Sequence, residues 1–390
     1  MIRVFVIAGE ASGDKLGAAL MAGLKDLADV EFSGIGGPLM QQQGLESLFP
    51  MDELSVMGIA EVLPKYRHLM RRINQTARAV LQAQPDILIT IDSPDFCLRV
   101  ARRVKAVSDI RTVHYVAPTV WAWRAGRAKK MAKVIDHVLA LFPFEPPYMQ
   151  AAGMECDFVG HPVVAERIAT PEEAADFRVV HGLGEAPVLL ILPGSRRGEV
   201  ARLAPVFGDA LHRILKDRPD IRPVIPTTGN VTDLVRDAVA GWPVAPLVLD
   251  PRGMDPDAYK QHKAAAFVAA DAALAASGTV SLELAACDTP MVIAYDMNWI
   301  SRQIIGRMLK VDTVTLVNLV SETRVVPEFI GKACQPVPIA EAVLKVLKDP
   351  GTQRAAMRLT MVRLGKDSEA PGRRAARAVL KGLPGVTSEI

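Results

Sequence analysis

Five short apolar runs, RVFVIAG, VEFSGIG, DILITID, RTVHYVAP and HVLALFPF, are bounded by Gly, Pro or Asp and alternate with longer segments of helical period. A strand solvated on one face alternates apolar with polar residues, whereas a strand covered on both faces does not. These runs therefore predict a parallel sheet wrapped by helices. After FVGHPVV and an acidic, Ala-rich segment the pattern restarts with PVLLILPGS, IRPVIPTTG, APLVLD, AALAASGT and PMVIAYDM. A chain of 390 residues is longer than one core usually supports. The restart divides it into two expected Rossmann-like α/β domains, 1–166 and 186–360, facing each other across a cleft. The stretch 361–390, with Arg373, Arg374 and Arg377 among Ala and Leu, reads as a closing helical segment placed to cross back to the first domain.

Charge and cysteine usage remove several classes of function. The 46 basic and 43 acidic residues balance to a formal +3, too even for nucleic acid as the main partner. Cys97, Cys156, Cys287 and Cys334 lie far apart without a C-x-x-C pair, so neither a zinc site nor a disulfide framework is expected, and a reducing cytoplasm fits. MIRVFVIAGE reaches Glu10 after too few apolar residues for a signal peptide. No apolar run approaches the roughly 18 residues of a membrane span. Any membrane contact is expected to be peripheral.

The turns that close the strands carry the polar residues of interest. In VIAGEASGDKLGAALM the glycines Gly9, Gly13 and Gly17 fit neither the dinucleotide fingerprint nor a P-loop. A tight strand-to-helix turn with Ser12 as helix cap explains the glycines, but not Glu10. No acidic residue follows Gly34-Ile35-Gly36-Gly37 to take a ribose hydroxyl, so a nicotinamide cofactor is not expected. Asp92 closes DILITI at the carboxyl end of a strand, where ligands bind in open α/β sheets. Ser93 and Pro94 already supply an N-cap and first helical residue, leaving Asp92 available to deprotonate a hydroxyl.

In the second half, Gly194, Ser195 and Arg196 of LPGSRRGEV offer backbone N–H groups and a guanidinium suited to a diphosphate. Two solvated arginines on a surface turn are the plainer alternative. Ser277, Gly278 and Thr279 of AASGTVSLELA form the corresponding turn, and Glu283 one turn on is placed to take two ribose hydroxyls or to make a buried pairing. From Ile59 the residues Val62, Leu63, Leu69 and Ile73 recur at helical spacing among Lys65, Arg67, His68, Arg71 and Arg72. This basic amphipathic stripe suits core packing or an anionic membrane face, with Pro64 expected to turn part of it into loop. Asp255-Pro-Asp257 reads as a turn, and no catalytic metal is expected.

Taken together, AGEASGD, MGIAEVLP, DSPDF, HYVAPTVWAWR, FPFE, FVGHP, LPGSR and ASGTVSLE resemble, in order and over the whole chain, the lipid-A-disaccharide synthases, glycosyltransferases of family 19. The resemblance implies a GT-B fold and an inverting transfer from UDP-2,3-diacylglucosamine to 2,3-diacylglucosamine 1-phosphate, without a cofactor. It implies Asp92 as general base with Glu10 beside it, and Ser12, Gly13 and His114 on the acceptor side. The donor falls to Gly194, Ser195, Arg196, Ser277, Gly278, Thr279, Glu283 and Asn318. Val56, Met57, Val62, Leu63, Leu69, Arg71 and Arg72 match the region that meets anionic lipid on the cytoplasmic face of the inner membrane. A homodimer is compatible with this reading. The sequence differs from the family pattern at Asp296, Val317 and Gly331. The rival functions are another UDP-sugar enzyme of the same fold, such as an N-acetylglucosamine epimerase, and a non-catalytic nucleotide-sugar or lipid-binding protein.

Overall fold

In the structure, a computed structural model, ILITI of β3 (Ile87–Ile91) and VLLIL of β7 (Val188–Leu192) are buried at every position, each inside a parallel sheet. The structure describes residues 1–54, 59–120, 126–297 and 312–383, with the side chains of 59–66 outside that description. The chain forms two compact units, Met1–Ala165 with Leu364–Ile390, and Glu166–Arg363.

In the first unit β1 (Ile2–Ala8), β2 (Val30–Ile35), β3, β4 (Arg111–Tyr115), β5 (His137–Ala140) and β6 (Glu155–Phe158) form one sheet in the order β2-β1-β3-β4-β5-β6. The order reverses between β1 and β3, which pair in parallel from Val4↔Ile87 to Ala8↔Ile91. At such a switch the connecting helices leave to opposite faces and the carboxyl ends open into a crevice. The residues directly beyond that register are Gly9 and Asp92. Helices of this unit include α1 (Ala11–Leu27), α2 (Pro38–Gln42), α3 (Ile59–Ala83), α4 (Pro94–Lys105), α5 (Gly126–Met131) and α6 (Pro146–Gln150).

The second unit repeats the plan. Its sheet runs β12-β11-β10-β7-β8-β9, where β8 is Arg222–Pro226, β9 Leu247–Leu249, β10 Ala272–Ala275, β11 Met291–Tyr295 and β12 Glu328–Ile330. Here the switch lies between β7 and β10, paired from Ala272↔Leu189 to Ala275↔Leu192. Helices α7 (Pro171–Val180), α8 (Arg197–Asp217), α9 (Thr232–Val239), α10 (Pro256–Ala269) and α11 (Val280–Ala286) connect or flank these strands. Leu203, Phe207, Leu211 and Ile214 on one face of α8 are wholly buried against the sheet core. The acidic, Ala-rich segment ahead of β7 is α7, and it belongs to this unit: Phe177 is buried and Arg178 bonds the carbonyl of Ala269 and the carboxylate of Asp271.

The helix Pro371–Lys381 lies on α1 in the first unit. A Cβ on Gly372 would stand 2.5 Å from the carbonyl oxygen of Ala19, so only glycine permits this approach. Arg374 fixes the same helix to the sheet by donating to the carbonyl of Phe158 at 3.0 Å.

Several local expectations need correction. The chain stays helical through Pro64, since α3 runs from Ile59 to Ala83; a proline there removes one hydrogen bond, to the carbonyl of residue 60. Asp255 is a helix cap rather than a free turn, accepting from the N–H groups of Asp257 and Ala258 at 3.0 Å each. Glu10, not Ser12, is the N-cap residue of α1, and Ser93 begins α4 without a side-chain capping bond.

Asp14 has a role that the first loop does not announce. Its buried carboxylate accepts from the N–H groups of Gly37 at 2.9 Å and of Leu39 and Met40 at 3.0 Å. It thereby caps α2 from across the sheet edge, satisfying donors that the helix itself leaves unpaired. Asp14→Ala should lower unfolding stability by about 3 kcal/mol, the scale of buried donors stripped of a charged acceptor. Urea denaturation measures this; a loss within experimental error would show that the cap is dispensable.

Candidate functional site

The first unit gathers strained backbone where β3 and β4 end. Asp92 and Ser93 have φ of 50° and 41°, and Val116, just past β4, has φ of 85°. Such left-handed residues cost roughly 1–3 kcal/mol each when they are not glycine, and a β-branched one is the rarest. Three at one sheet edge mark a place where side-chain aim outweighs backbone comfort. The amide of Asp92 donates to the carbonyl of Tyr115 at 3.0 Å, which ties the half-buried Asp92 to β4 while Pro94 starts α4 behind it. Gly9, on the neighbouring strand end, allows the two loops to meet: a Cβ there would lie 2.6 Å from Ser93 Oγ.

Asp92, His114, Val116 and Arg127 line one cavity of about 200 Å³. His114 is nearly wholly buried, and its Nδ1 stands 2.8 Å from Thr90 Oγ1, its in-register partner on β3. The Thr90 hydroxyl also lies 3.1 Å from the carbonyl of Val113 and donates its proton there. Nδ1–H then donates to Thr90 Oγ1, leaving Nε2 as the acceptor. Burial pushes the His114 imidazole down to about 4, so it is neutral at physiological pH. The remaining residues expected here divide. Glu10 is half-buried at the N-cap of α1, Ser12 is exposed in its first turn, and Gly13 is buried with an added Cβ 3.4 Å from that of Ala8. A Cβ on Gly13 would make only ordinary van der Waals contact there.

In the second unit Gly194, Ser195, Arg196, Ser277, Gly278, Thr279 and Glu283 all line a single cavity of about 540 Å³ at the β7/β10 switch. Ala276 donates to the carbonyl of Leu192 at 2.8 Å, holding the two turns side by side. Arg196 stands at the start of α8 with its side chain 72% exposed, 3.0 Å from the buried carboxylate of Glu199. Glu199 is a residue that sequence reading missed. Its signal was an acidic residue three positions past a helix start, where a carboxylate reaches back to the N-cap amide; the distance to the Arg196 amide is 3.4 Å. Tyr259 and Lys263 of α10 were also missed. Lys263 Nζ lies 2.7 Å from Glu283 Oε2 and 5.0 Å from the Phe267 ring centre, so one carboxylate oxygen of Glu283 faces a cation within the cavity wall.

Asn318 is not brought to this cavity. It is buried, its amide donates to the carbonyl of Val326 at 2.9 Å and to Glu328 at 2.8 Å, and its Oδ1 accepts from the Val326 amide at 3.0 Å. These bonds pin the chain entering β12 and consume the amide in support of the fold. Gly331 follows β12 with φ of 63°, a conformation in which a side chain is strained.

The expected membrane face is altered in one particular. Val56 and Met57 lie outside the described residues, as do the side chains of Val62 and Leu63. Leu69 is half-buried and Arg71 is exposed. Arg72 is not available to lipid: it forms a two-pronged pair with Glu53 at 2.7 Å on each arm and covers the Phe49 ring at 4.3 Å. Arg67, Arg71 and Arg78 instead form the exposed stripe of α3, opposite the buried Ile73, Ala77 and Val80. Among the described residues, no helix is long and apolar enough to cross a membrane, and no group of three or more His, Cys, Asp or Glu is placed to hold a metal.

A family model for lipid-A-disaccharide synthetase matches residues 4–380. The lipid-A-disaccharide synthase of Ruegeria pomeroyi is 66% identical over 386 residues, covering 99% of this chain and 96% of that protein. That of Rhodospirillum centenum is 47% identical, covering 97% and 94%. Among solved structures, the UDP-GlcNAc 2-epimerase of Neisseria meningitidis bound to UDP-GlcNAc superposes with a TM-score of 0.63 at 11% identity, covering 97% of this chain and 99% of that one. Acinetobacter baumannii MurG gives 0.57 at 13% identity, with 98% and 100% covered. At such identities the solved structures establish the fold, which is GT-B.

The buried His114 sets a pH dependence of stability. Its folded-state value lies below its unfolded one, so its contribution is complete above pH 6.5 and is lost as pH falls toward 4. Over that span it amounts to about 3 kcal/mol. Urea midpoints between pH 7 and 4 should therefore fall less steeply in His114→Gln than in the parent; parallel curves would show that the imidazole protonates without cost.

Proposed function

The chain belongs to the lipid-A-disaccharide synthase family, glycosyltransferases of lipid A biosynthesis, and on that premise we propose that it joins UDP-2,3-diacylglucosamine to 2,3-diacylglucosamine 1-phosphate with inversion and release of UDP. The observation that carries the assignment of roles is the position of Asp92, held on strained backbone at the β1/β3 switch in a cavity shared with neutral His114. Asp92 takes the proton of the acceptor 6-hydroxyl as its oxygen attacks C1 of the donor sugar. The bond from C1 to the diphosphate breaks, and UDP leaves with the electron pair. A general base is effective when its carboxylate is within hydrogen-bond reach of the proton it removes, and a fixed backbone limits the search for that geometry. His114, held neutral, adds no competing positive charge to the base and offers Nε2 to a hydroxyl.

The donor binds in the second unit. Backbone N–H groups at Gly194 and Ser195 and the exposed Arg196 guanidinium receive the diphosphate, an anion that such groups bind without a metal. Glu199 fixes the orientation of that guanidinium. Glu283 accepts from the ribose hydroxyls while Lys263 balances its charge. The exposed arginines of α3 place the enzyme on the cytoplasmic face of the inner membrane, each worth roughly 1 kcal/mol against anionic lipid. Arg67→Glu with Arg71→Glu should reduce cosedimentation with phosphatidylglycerol vesicles, and unaltered binding would remove α3 from the membrane face.

Turnover with the defined donor and acceptor tests the chemistry. The parent protein should form disaccharide, and Asp92→Asn should lose roughly 10²-fold or more in kcat, the usual scale for a general base, while still binding UDP. Epimerisation of UDP-N-acetylglucosamine without disaccharide formation would favour the rival enzyme. Full activity in Asp92→Asn would move the base elsewhere.

A further inference from the structure

The first unit contains a second recess, a groove of about 780 Å³ between α4 and α5, which neither the proposed base nor the donor occupies. Arg99, Arg102 and Arg103 project into it from α4, Arg127 and Lys130 from α5, and Asp95 is the one carboxylate in its wall. The spacings i, i+3 and i+4 on the first helix and i, i+3 on the second put each set on a single face. Arg103 donates to Asn74 Oδ1 at 2.9 Å and to the carbonyl of Arg99 at 3.0 Å, and Arg99 lies 3.9 Å from the sulfur of Met70. Among the described residues, none of the five cations is in an ion pair. Five such charges around one concavity repel one another, and their field is offset by an anion that enters.

The groove adjoins the proposed base. Pro94, Leu98 and Arg127 line both it and the cavity that contains Asp92 and His114. We propose that this groove holds the phosphate monoester of the acceptor sugar, so that Arg127 and its neighbours fix the 1-phosphate while Asp92 meets the 6-hydroxyl. The inference rests on 2,3-diacylglucosamine 1-phosphate being the acceptor. In that molecule the phosphate on C1 and the reacting hydroxyl on C6 are separate substituents, carried by the two carbons that flank the ring oxygen. A phosphate site must then adjoin the base's cavity rather than coincide with it, which is the arrangement of these two recesses. A phosphate monoester carries nearly two charges and three strong acceptor oxygens at neutral pH, a match for guanidinium groups arriving from two directions. An anionic lipid headgroup needs only an exposed basic stripe, and Arg67, Arg71 and Arg78 of α3 supply one.

A two-by-two comparison tests the site. The parent and the double variant Arg102→Glu, Lys130→Glu are assayed in mixed micelles, with 2,3-diacylglucosamine 1-phosphate and with its dephosphorylated counterpart as acceptors. The parent should prefer the phosphorylated acceptor, and the variant should lose about tenfold or more in kcat/KM on that acceptor alone, the scale of one charged hydrogen bond. An unchanged donor KM shows that the variant is folded. Equal loss on both acceptors, or loss on neither, overturns the proposal. So does a variant that keeps the phosphate preference in micelles but no longer binds phosphatidylglycerol vesicles, because the groove then serves the membrane. Absence of disaccharide from the parent with either acceptor overturns the acceptor reading itself, an outcome distinct from a failure of the groove.

Discussion

The parallel pairing of β1 with β3 and of β7 with β10 is the constraint on which the rest of the structure depends. At each pair the strand order reverses, and the chain beyond the last paired residues must turn away to opposite faces. That geometry opens a crevice and fixes which residues stand at its rim. In the first unit they are Gly9, Glu10, Asp92 and Ser93; in the second, Gly194 to Arg196 and Ser277 to Thr279. The cores hold these pairings in register. β3 and β7 are buried on both faces, so a slip would place turn residues inside the sheet.

On this frame the two units solve different problems. The first concentrates backbone strain, at Asp92, Ser93 and Val116, and a buried neutral imidazole at His114. Strain is tolerated where the neighbouring structure over-determines a conformation, here through the bond from the Asp92 amide to β4 and the close approach of Gly9 to Ser93. The second unit concentrates compensated charge instead: Arg196 with Glu199, and Lys263 with Glu283, around a larger cavity. Under the proposed division of roles, aiming a base and holding a charged nucleotide make different demands, and the two sites differ in that sense.

The strands and the turns that end them were legible in the sequence because both-face burial writes unbroken apolar runs, and because Gly, Asp or Ser must follow where the chain turns. The seven residues from Gly194 to Glu283 that were expected on the donor side come to one cavity for that reason. What was not legible depends on partners distant in sequence. Asp14 meets amides more than twenty residues away, Arg72 meets Glu53, and Asn318 spends its amide on the strand that follows it. No local pattern distinguishes these from solvent-facing polar residues. The basic groove is a further case: its arginines and lysine sit on two helices, and neither helix alone differs from an ordinary charged surface. The motifs that run in order through the chain point to the lipid-A-disaccharide synthase family, whereas the use of each polar side chain had to be read from its neighbours.

Catalysis on this reading turns on the proximity of Asp92 to the acceptor hydroxyl. A crystal structure with UDP and 2,3-diacylglucosamine 1-phosphate bound, a combination that cannot react forward, measures it directly. The Asp92 carboxylate should lie within about 2.6–3.2 Å of the acceptor 6-oxygen, directly or through one water. A 6-oxygen placed against a different carboxylate, with Asp92 turned into the protein, would contradict the assignment.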